Sequence, residues 1–453
     1  MMNVSPLFAD HMVLQRNKPI PVFGTGNGTV CVEFRGNKVE TQASFAHWCV
    51  WLPAEEAGGP YEMKITLCET VSVSHAESTV QETVRIFSDI LVGEVWIAAG
   101  QSNMSMRLEN ALHSESDLSA CPNFRYTNIS RGEWPEVTEA LDKKWTVCTP
   151  DVCADFSAIG HFFARELILH ENVPVGIIAC CKGASRIESW IDPTILAGTE
   201  LDIPNERKFI DIKYPFNAMG RLYYEMLCPI APYSVRGVLW YQGESDRSPH
   251  ETCTYSGLFG LLLKSWRKRW NEELPFLTVQ LTSYGENTDQ TQDWPTLREQ
   301  QRIAAEKFPN VAMITTMDCG SPNQIHPVHK RELGERLVRA ARNLVYGETN
   351  VEYSGPLAEK AFWNGEAVTV TFSHAANGLC AETLADLEMR GADGIYYPAE
   401  GKISADGCTL ELRCVQVAQP RGVRYAWKNF CEVTLKNAEG FPAAPFLLTV
   451  ETE

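Results

Sequence analysis

The sequence predicts an α/β chain, with a mainly parallel sheet domain set between two all-β regions. Three observations carry this. Short apolar runs alternate with helical patterns through the middle of the chain. Strand-type alternation of period two marks both ends, and turn residues crowd the first of them. Strand–helix alternation is the pattern of a parallel sheet covered by its crossover helices.

Residues 1–90 read as a β domain, a small sandwich. Val30, Val32 and Phe34 alternate with Cys31, Glu33 and Arg35, and Gly24-Thr25-Gly26-Asn27-Gly28 and Gly58-Gly59-Pro60 supply turns. The texture changes near Leu91. Over 91–347, Val92–Ala99, Val173–Cys180, Arg236–Trp240, Phe276–Leu281 and Val311–Thr316 read as buried strands, with Ser157–Leu169 as a helix between them. A further helix follows Pro327, where Leu333, Leu337, Ala340, Ala341 and Leu344 form one apolar face. Glu332/Arg336 and Glu335/Arg339 support it at i,i+4, and Gly347 stops it. Over 348–453 the period of two returns: Val368, Val370 and Phe372, then Leu410, Leu412 and Cys414. Whether the two β regions pack together is left open.

At 453 residues the chain expects two or three domains. Its formal charge of -17, from 57 acids against 40 bases, repels phosphate backbones and anionic membranes, so neither nucleic acid nor a membrane is an expected partner. The start, Met1-Met2-Asn3-Val4-Ser5-Pro6, shows no basic segment and no apolar core of an export signal, and no apolar run is long enough to span a bilayer. The 15 cysteines then read as reduced thiols, and a cytoplasmic location is expected. No Cys-x-x-Cys pair supports a zinc site.

Four polar turns follow apolar strands. Gly100-Gln101-Ser102-Asn103-Met104 places Ser102 on a strand-to-helix turn, with a helix expected from about Met104 to Leu112. Lys182-Gly183-Ala184 ends the second strand, where a glycine lets backbone approach a substrate. Trp240-Tyr241-Gln242-Gly243-Glu244 ends the third; Gln242 offers amide N–H donors, and Glu244 a carboxylate to orient a neighbour or bind sugar hydroxyls. Ile325-His326-Pro327 precedes the last helix, with His329 reading as a helix-surface residue. Each turn alone reads better as ordinary loop chemistry. Together they place a serine, two oxyanion donors and a base along one rim of a sheet, the parts acyl transfer requires.

These four segments resemble the blocks of SGNH hydrolases, specifically the sialate O-acetylesterase-like carbohydrate esterases. Leu7–Arg16, Val423–Trp427 and Gly440–Phe446 extend the resemblance over nearly the whole chain. It implies an SGNH (flavodoxin-like) three-layer domain flanked by N- and C-terminal β-sandwich-type regions. It implies a serine esterase removing acetyl groups from sialic acid or a related acetylated sugar. Ser102 is then nucleophile, His326 base, and the N–H groups of Ser102, Gly183 and Gln242 the oxyanion donors. No metal or organic cofactor is implied. The partner is an acetylated sugar or short oligosaccharide, and a homo-oligomer is left open. Trp190, Trp240 and Tyr241 are candidates for a sugar platform or for core packing.

One departure stands out. Many relatives have Asp-Ile-His-Pro at the last block, the Asp completing a triad; here that position is Gln324, preceded by Asn323. A Ser–His dyad, a substitute carboxylate (Asp318 or Glu244), or lost activity are the outcomes. The rival readings are an acetyl-xylan or acetyl-mannan oligosaccharide esterase, a carbohydrate-binding protein on a decayed esterase scaffold, and a cysteine hydrolase using Cys180 or Cys181.

Overall fold

The structure is a computed structural model, which describes residues 3–43, 47–72, 78–129, 145–201 and 213–452. Two long strands begin the part of the fold that matters for the site. β1 (Gly58–Ser72) and β2 (Ser78–Gly100) pair antiparallel as a hairpin. From Leu91 onward β2 changes neighbours. It pairs parallel with Val13–Gln15, then with β4 (Val175–Cys181) on one side and β5 (Gly237–Tyr241) on the other. The full parallel order is β3 (Cys121–Asn128), β4, β2, β5, β6 (Phe276–Val279) and β7 (Val311–Ile314). A short strand, Thr146–Cys148, runs antiparallel at the β3 edge.

The expected boundary at residue 90 therefore falls inside one continuous strand. The change in texture at Leu91 has a different cause. Before it, Val80, Val84 and Ile86 stand exposed on a half-solvated hairpin. After it, Leu91 to Ala99 are buried on both faces, and a strand in that setting reads as an unbroken apolar run. Burial changes at that point while the strand continues. The core follows the strand: one apolar cluster runs from Leu7, Val32 and Ile65 through Ile97, Ile177 and Leu239 to Leu337.

Helices pack on this sheet in pairs. α1 (Ser102–Ser105) is a single turn. The longer helix expected over 104–112 does not form. The reason is that Ser157 Oγ and Ala158 N–H take the carbonyls of Met104 and Met106 at 2.6 and 2.8 Å. α2 (Ala158–Glu171) is capped by Ser157, whose Oγ accepts from the Gly160 N–H. α3 (Tyr255–Trp270) and α4 (Trp294–Lys307) follow, then α5 (Arg331–Leu344). α2 and α5 lie against each other at Gly334, where a Cβ would stand 2.6 Å from Phe162 Cβ. In β2, Trp96 meets Phe163 of α2 edge-on. In β5, Trp240 pairs in register with Ala99, and its indole N–H donates to Tyr255 of α3. Trp96 and Ala99 are three residues apart on one strand, so their side chains leave opposite faces of the sheet. Hence α2 and α3 cover different faces.

The C-terminal region holds an eight-stranded sheet, including Leu357–Trp363, Val368–Ser373, Leu410–Arg413, Gly422–Tyr425 and Phe446–Thr452. It has a core of its own, formed by Val368, Val370, Leu410, Leu412, Val423 and Phe446 among others. It docks on the α/β part through a small apolar cluster of Met313, Leu357 and Ala444, and through polar stitching. The buried Arg298 donates to the carbonyls of Thr282 and Asn429 at 3.2 Å each, and Ser283 Oγ donates to Cys431 O at 2.7 Å. All 15 cysteines are free thiols. Among the described residues, no helix is long and apolar enough to cross a membrane.

Candidate active site

The register of the parallel sheet builds the site. Cys181 at the end of β4 and Tyr241 at the end of β5 both stand beside Gly100 at the end of β2. Three loops therefore leave the sheet at one level, as expected for the carboxyl edge of such a sheet. The exit is tight. The Lys182 N–H donates to Gly100 O at 2.9 Å, and the Gln101 N–H to Tyr241 O at 3.0 Å. Gly100 has φ +132°, and a Cβ there would stand 2.0 Å from Tyr241 O, so this position admits only glycine. The chain then turns outward and presents Ser102, half-buried, at the start of α1.

His326 Nε2 lies 2.7 Å from Ser102 Oγ, so the expected nucleophile and base are in hydrogen-bond contact. Burial, and next the positive charge of Lys330, hold the imidazole pKa below its ordinary value. Gly183 also borders the serine: a Cβ on it would sit 3.6 Å from Ser102 Cβ. Among the described residues, the N–H groups of Ser102 and Gly183 donate to no acceptor. Ala184 has φ 59°. The loop is braced by Asn217, which accepts from the Arg186 N–H at 2.9 Å and donates to Ala184 O at 3.0 Å.

Gln242 does something other than expected. It is fully buried, and its amide N–H groups donate to Ser185 O at 3.0 Å and to Asp246 Oδ2, with Gln101 Oε1 at 3.3 Å. Tyr255 OH lies 2.9 Å from its Oε1. Its donors are thus engaged inside the protein, tying the loops after β2, β4 and β5 together, and none is left for an oxyanion. Glu244 is also buried and accepts from Asn103 Nδ2. Burial pushes its carboxyl pKa up, opposed by Asn103 and by the charge of Lys330.

No carboxylate among the described residues contacts the imidazole. Asp318 is held by Arg336 through two bonds of 2.8 and 2.6 Å. Asn323 and Gln324 are exposed. The contact that exists is a Ser–His dyad. His329 pairs with Glu332 at 3.1 Å on the surface.

Two alternatives left open by the sequence are decided. Trp190, Trp240 and Tyr241 are buried and offer no sugar platform: Trp190 stands edge-on to Trp240 at 6.1 Å on the α3 side, while Tyr241 faces the other side of the sheet, its ring beneath Lys330 Nζ at 5.3 Å. Cys180 and Cys181 cannot serve as nucleophiles. Burial raises both thiols, Cys181 to about 12, and the Cys181 thiol donates to Ala98 O. The sequence reading missed Asn103, Lys330 and Asn217. Asn103 lies inside the Ser102 turn and could have been singled out as an amide beside a nucleophile. Lys330 and Asn217 carry no local signal. Among the described residues, no group of three or more His, Cys, Asp or Glu side chains is gathered to hold a metal.

The chain is similar to known proteins along most of its length. A family model described as carbohydrate esterase, sialic acid-specific acetylesterase, matches residues 92–343. Sialate O-acetylesterases of Pongo abelii and Homo sapiens are each 29% identical to the chain over 387 residues, covering 77% of it and 72% of their own length. The crystal structure of a carbohydrate acetylesterase from Xanthomonas citri superposes with a TM-score of 0.83 at 30% identity and covers 99% of both chains. With the match extending over more than half its length, the chain belongs to the carbohydrate esterase family of sialic acid-specific acetylesterases.

Proposed function

We propose that the chain hydrolyses acetyl esters on sialic acid or a related acetylated sugar, with Ser102 as nucleophile and His326 as base. The observation that carries this is the 2.7 Å contact between Ser102 Oγ and His326 Nε2 at the carboxyl ends of the parallel strands. Ser102 attacks the acetyl carbonyl as His326 takes its proton. The free N–H groups of Ser102 and Gly183 receive the oxyanion. The sugar hydroxyl leaves with the proton from His326, and water then releases acetate from the acetyl-serine.

The same reading extends to the fold, as a three-layer SGNH domain carrying β-sandwich-type regions at both ends. Supporting it are the parallel strand order, the opposite faces taken by Trp96 and Trp240, and the cluster that Val22, Val32, Val50 and Ile65 share. The likeness of the whole chain to a carbohydrate acetylesterase supports an acetylated carbohydrate as substrate, and acetylated xylo- or manno-oligosaccharides are the alternative class. Acetate release by wild type and Ser102→Ala, from 9-O-acetyl sialic acid and from both kinds of oligosaccharide, tests the proposal. Release that requires Ser102 is the expected result, and the preferred substrate ranks the classes. A folded protein that releases none would leave carbohydrate binding as the function.

A further inference from the structure

The turn carrying the nucleophile and the loop carrying the base are joined by one side chain, that of Asn103. Its Nδ2 donates to Ile325 O at 2.9 Å and to Glu244 Oε1, while its Oδ1 accepts from Lys330 Nζ at 2.6 Å. An ammonium has only donors, so the amide oxygen must face Lys330, which leaves the NH₂ for the carboxylate and the carbonyl. Asn103 adjoins Ser102. Ile325 adjoins His326, and Lys330 stands at the entry to α5. The segment 325–330 is therefore fastened at both ends to the side chain next to the nucleophile.

All three polar side chains are buried: Asn103 at 1%, Glu244 at 2% and Lys330 at 0% exposure. Taking a lysine and a carboxylate out of water is costly, and apolar replacements of such groups are often neutral or stabilising. A stability role is thus a weak reason for their presence, and what they hold is a better one. We propose that Lys330, Asn103 and Glu244 form a positioning device that keeps the His326 imidazole aligned on Ser102 in a site where no carboxylate among the described residues contacts the imidazole. The inference rests on the esterase reading of Ser102 and His326.

A triad acid both orients the imidazole and stabilises its protonated form. The Lys330–Asn103–Glu244 set supplies the first function through the backbone at Ile325. It works against the second, because the Lys330 charge disfavours an imidazolium. The other charged groups nearby are engaged with partners other than His326. Arg247 donates to Glu244 O, Asp318 is closed onto Arg336, and Lys182 lies over the Phe216 ring at 4.8 Å.

Two variants test the proposal, with melting curves as the check on folding. Lys330→Met is expected to lower kcat by about 10–100-fold with little change in KM, the range for lost outer support of a reacting group. In the same variant the acid limb of kcat/KM, and the NMR titration of the His326 imidazole, move to higher pH. Asn103→Ala leaves the lysine in place and covers the case of a Lys330→Met chain that does not fold; its kcat is expected to fall by about as much. A folded Lys330→Met with an unmoved His326 titration, or either folded variant with wild-type kcat, overturns the proposal. Absence of Ser102-dependent acetate release in wild type is a separate result. It defeats the esterase reading, while the imidazole titration still reports on the device.

Discussion

At the scale of single residues, the site depends on backbone that only particular side chains permit. Gly100 turns β2 out of the sheet beneath Tyr241 O, and the 2.0 Å approach leaves no room for a methyl group. Gly100→Ala is expected to lose at least about 2 kcal/mol of stability and most of its esterase activity, read by urea unfolding and acetate release. In the proposed mechanism, His326 sets the acid limit of the reaction. Only the neutral imidazole can accept the Ser102 proton, so activity falls as pH drops through its pKa. Burial and Lys330 hold that pKa below the ordinary imidazole range near 6.5. A pH profile of kcat/KM should therefore stay level through neutrality and decline only below about pH 6.5. A midpoint above that would show that the imidazole is more solvated, or more favourably paired, than the geometry described here. The residue scale is also where the sequence is least informative. Ser102 and His326 announce themselves by type, because few side chains can be nucleophile or base. Lys330 does not, since a lysine at a helix entry ordinarily faces water and its burial depends on partners more than 80 positions away, at Asn103 and Glu244.

At the scale of elements, the strand and helix positions were legible because they rest on local period. β2, β4, β5, β6 and β7 all fall on the apolar runs, α2 on the range expected for a helix, and α5 on the helix whose apolar face was predicted. The helix expected after Met104 failed for a reason no local pattern carries: its carbonyls are captured by Ser157 and Ala158, more than 50 residues on. Central strands also conceal polar anchors. Glu94, buried within β2, receives Arg16 Nε on one oxygen and Arg236 Nε on the other, at 2.5 and 2.6 Å. Each guanidinium comes from a different segment, so the pair fastens both flanks of the strand. Glu94→Gln removes the charge and leaves two arginines facing a neutral amide. The expected loss is about 3 kcal/mol in urea unfolding, with the Ser102–His326 chemistry retained in what remains folded.

For the whole molecule, the division into three equal-ranking domains gives way to an unequal one. The first β region and the α/β part share a core, while the last region has its own and is stitched on through Arg298, Ser283 and Asn429. A chain beginning at residue 91 is expected to be insoluble or unfolded, because Val32, Ile65 and their neighbours cover part of that core. Circular dichroism of such a fragment would show whether the α/β part can stand without them. Arg298→Met should leave both cores intact and weaken their docking, seen as a second, earlier step in thermal unfolding. The continuity of β2 also bears on how such a protein can be inherited. A recombination junction near residue 90 would sever the strand that leads into the Ser102 turn, whereas one near 348 would fall between two separate cores. The first β region and the hydrolase part are thus expected to pass between lineages as one unit, and the last region to be the piece open to exchange.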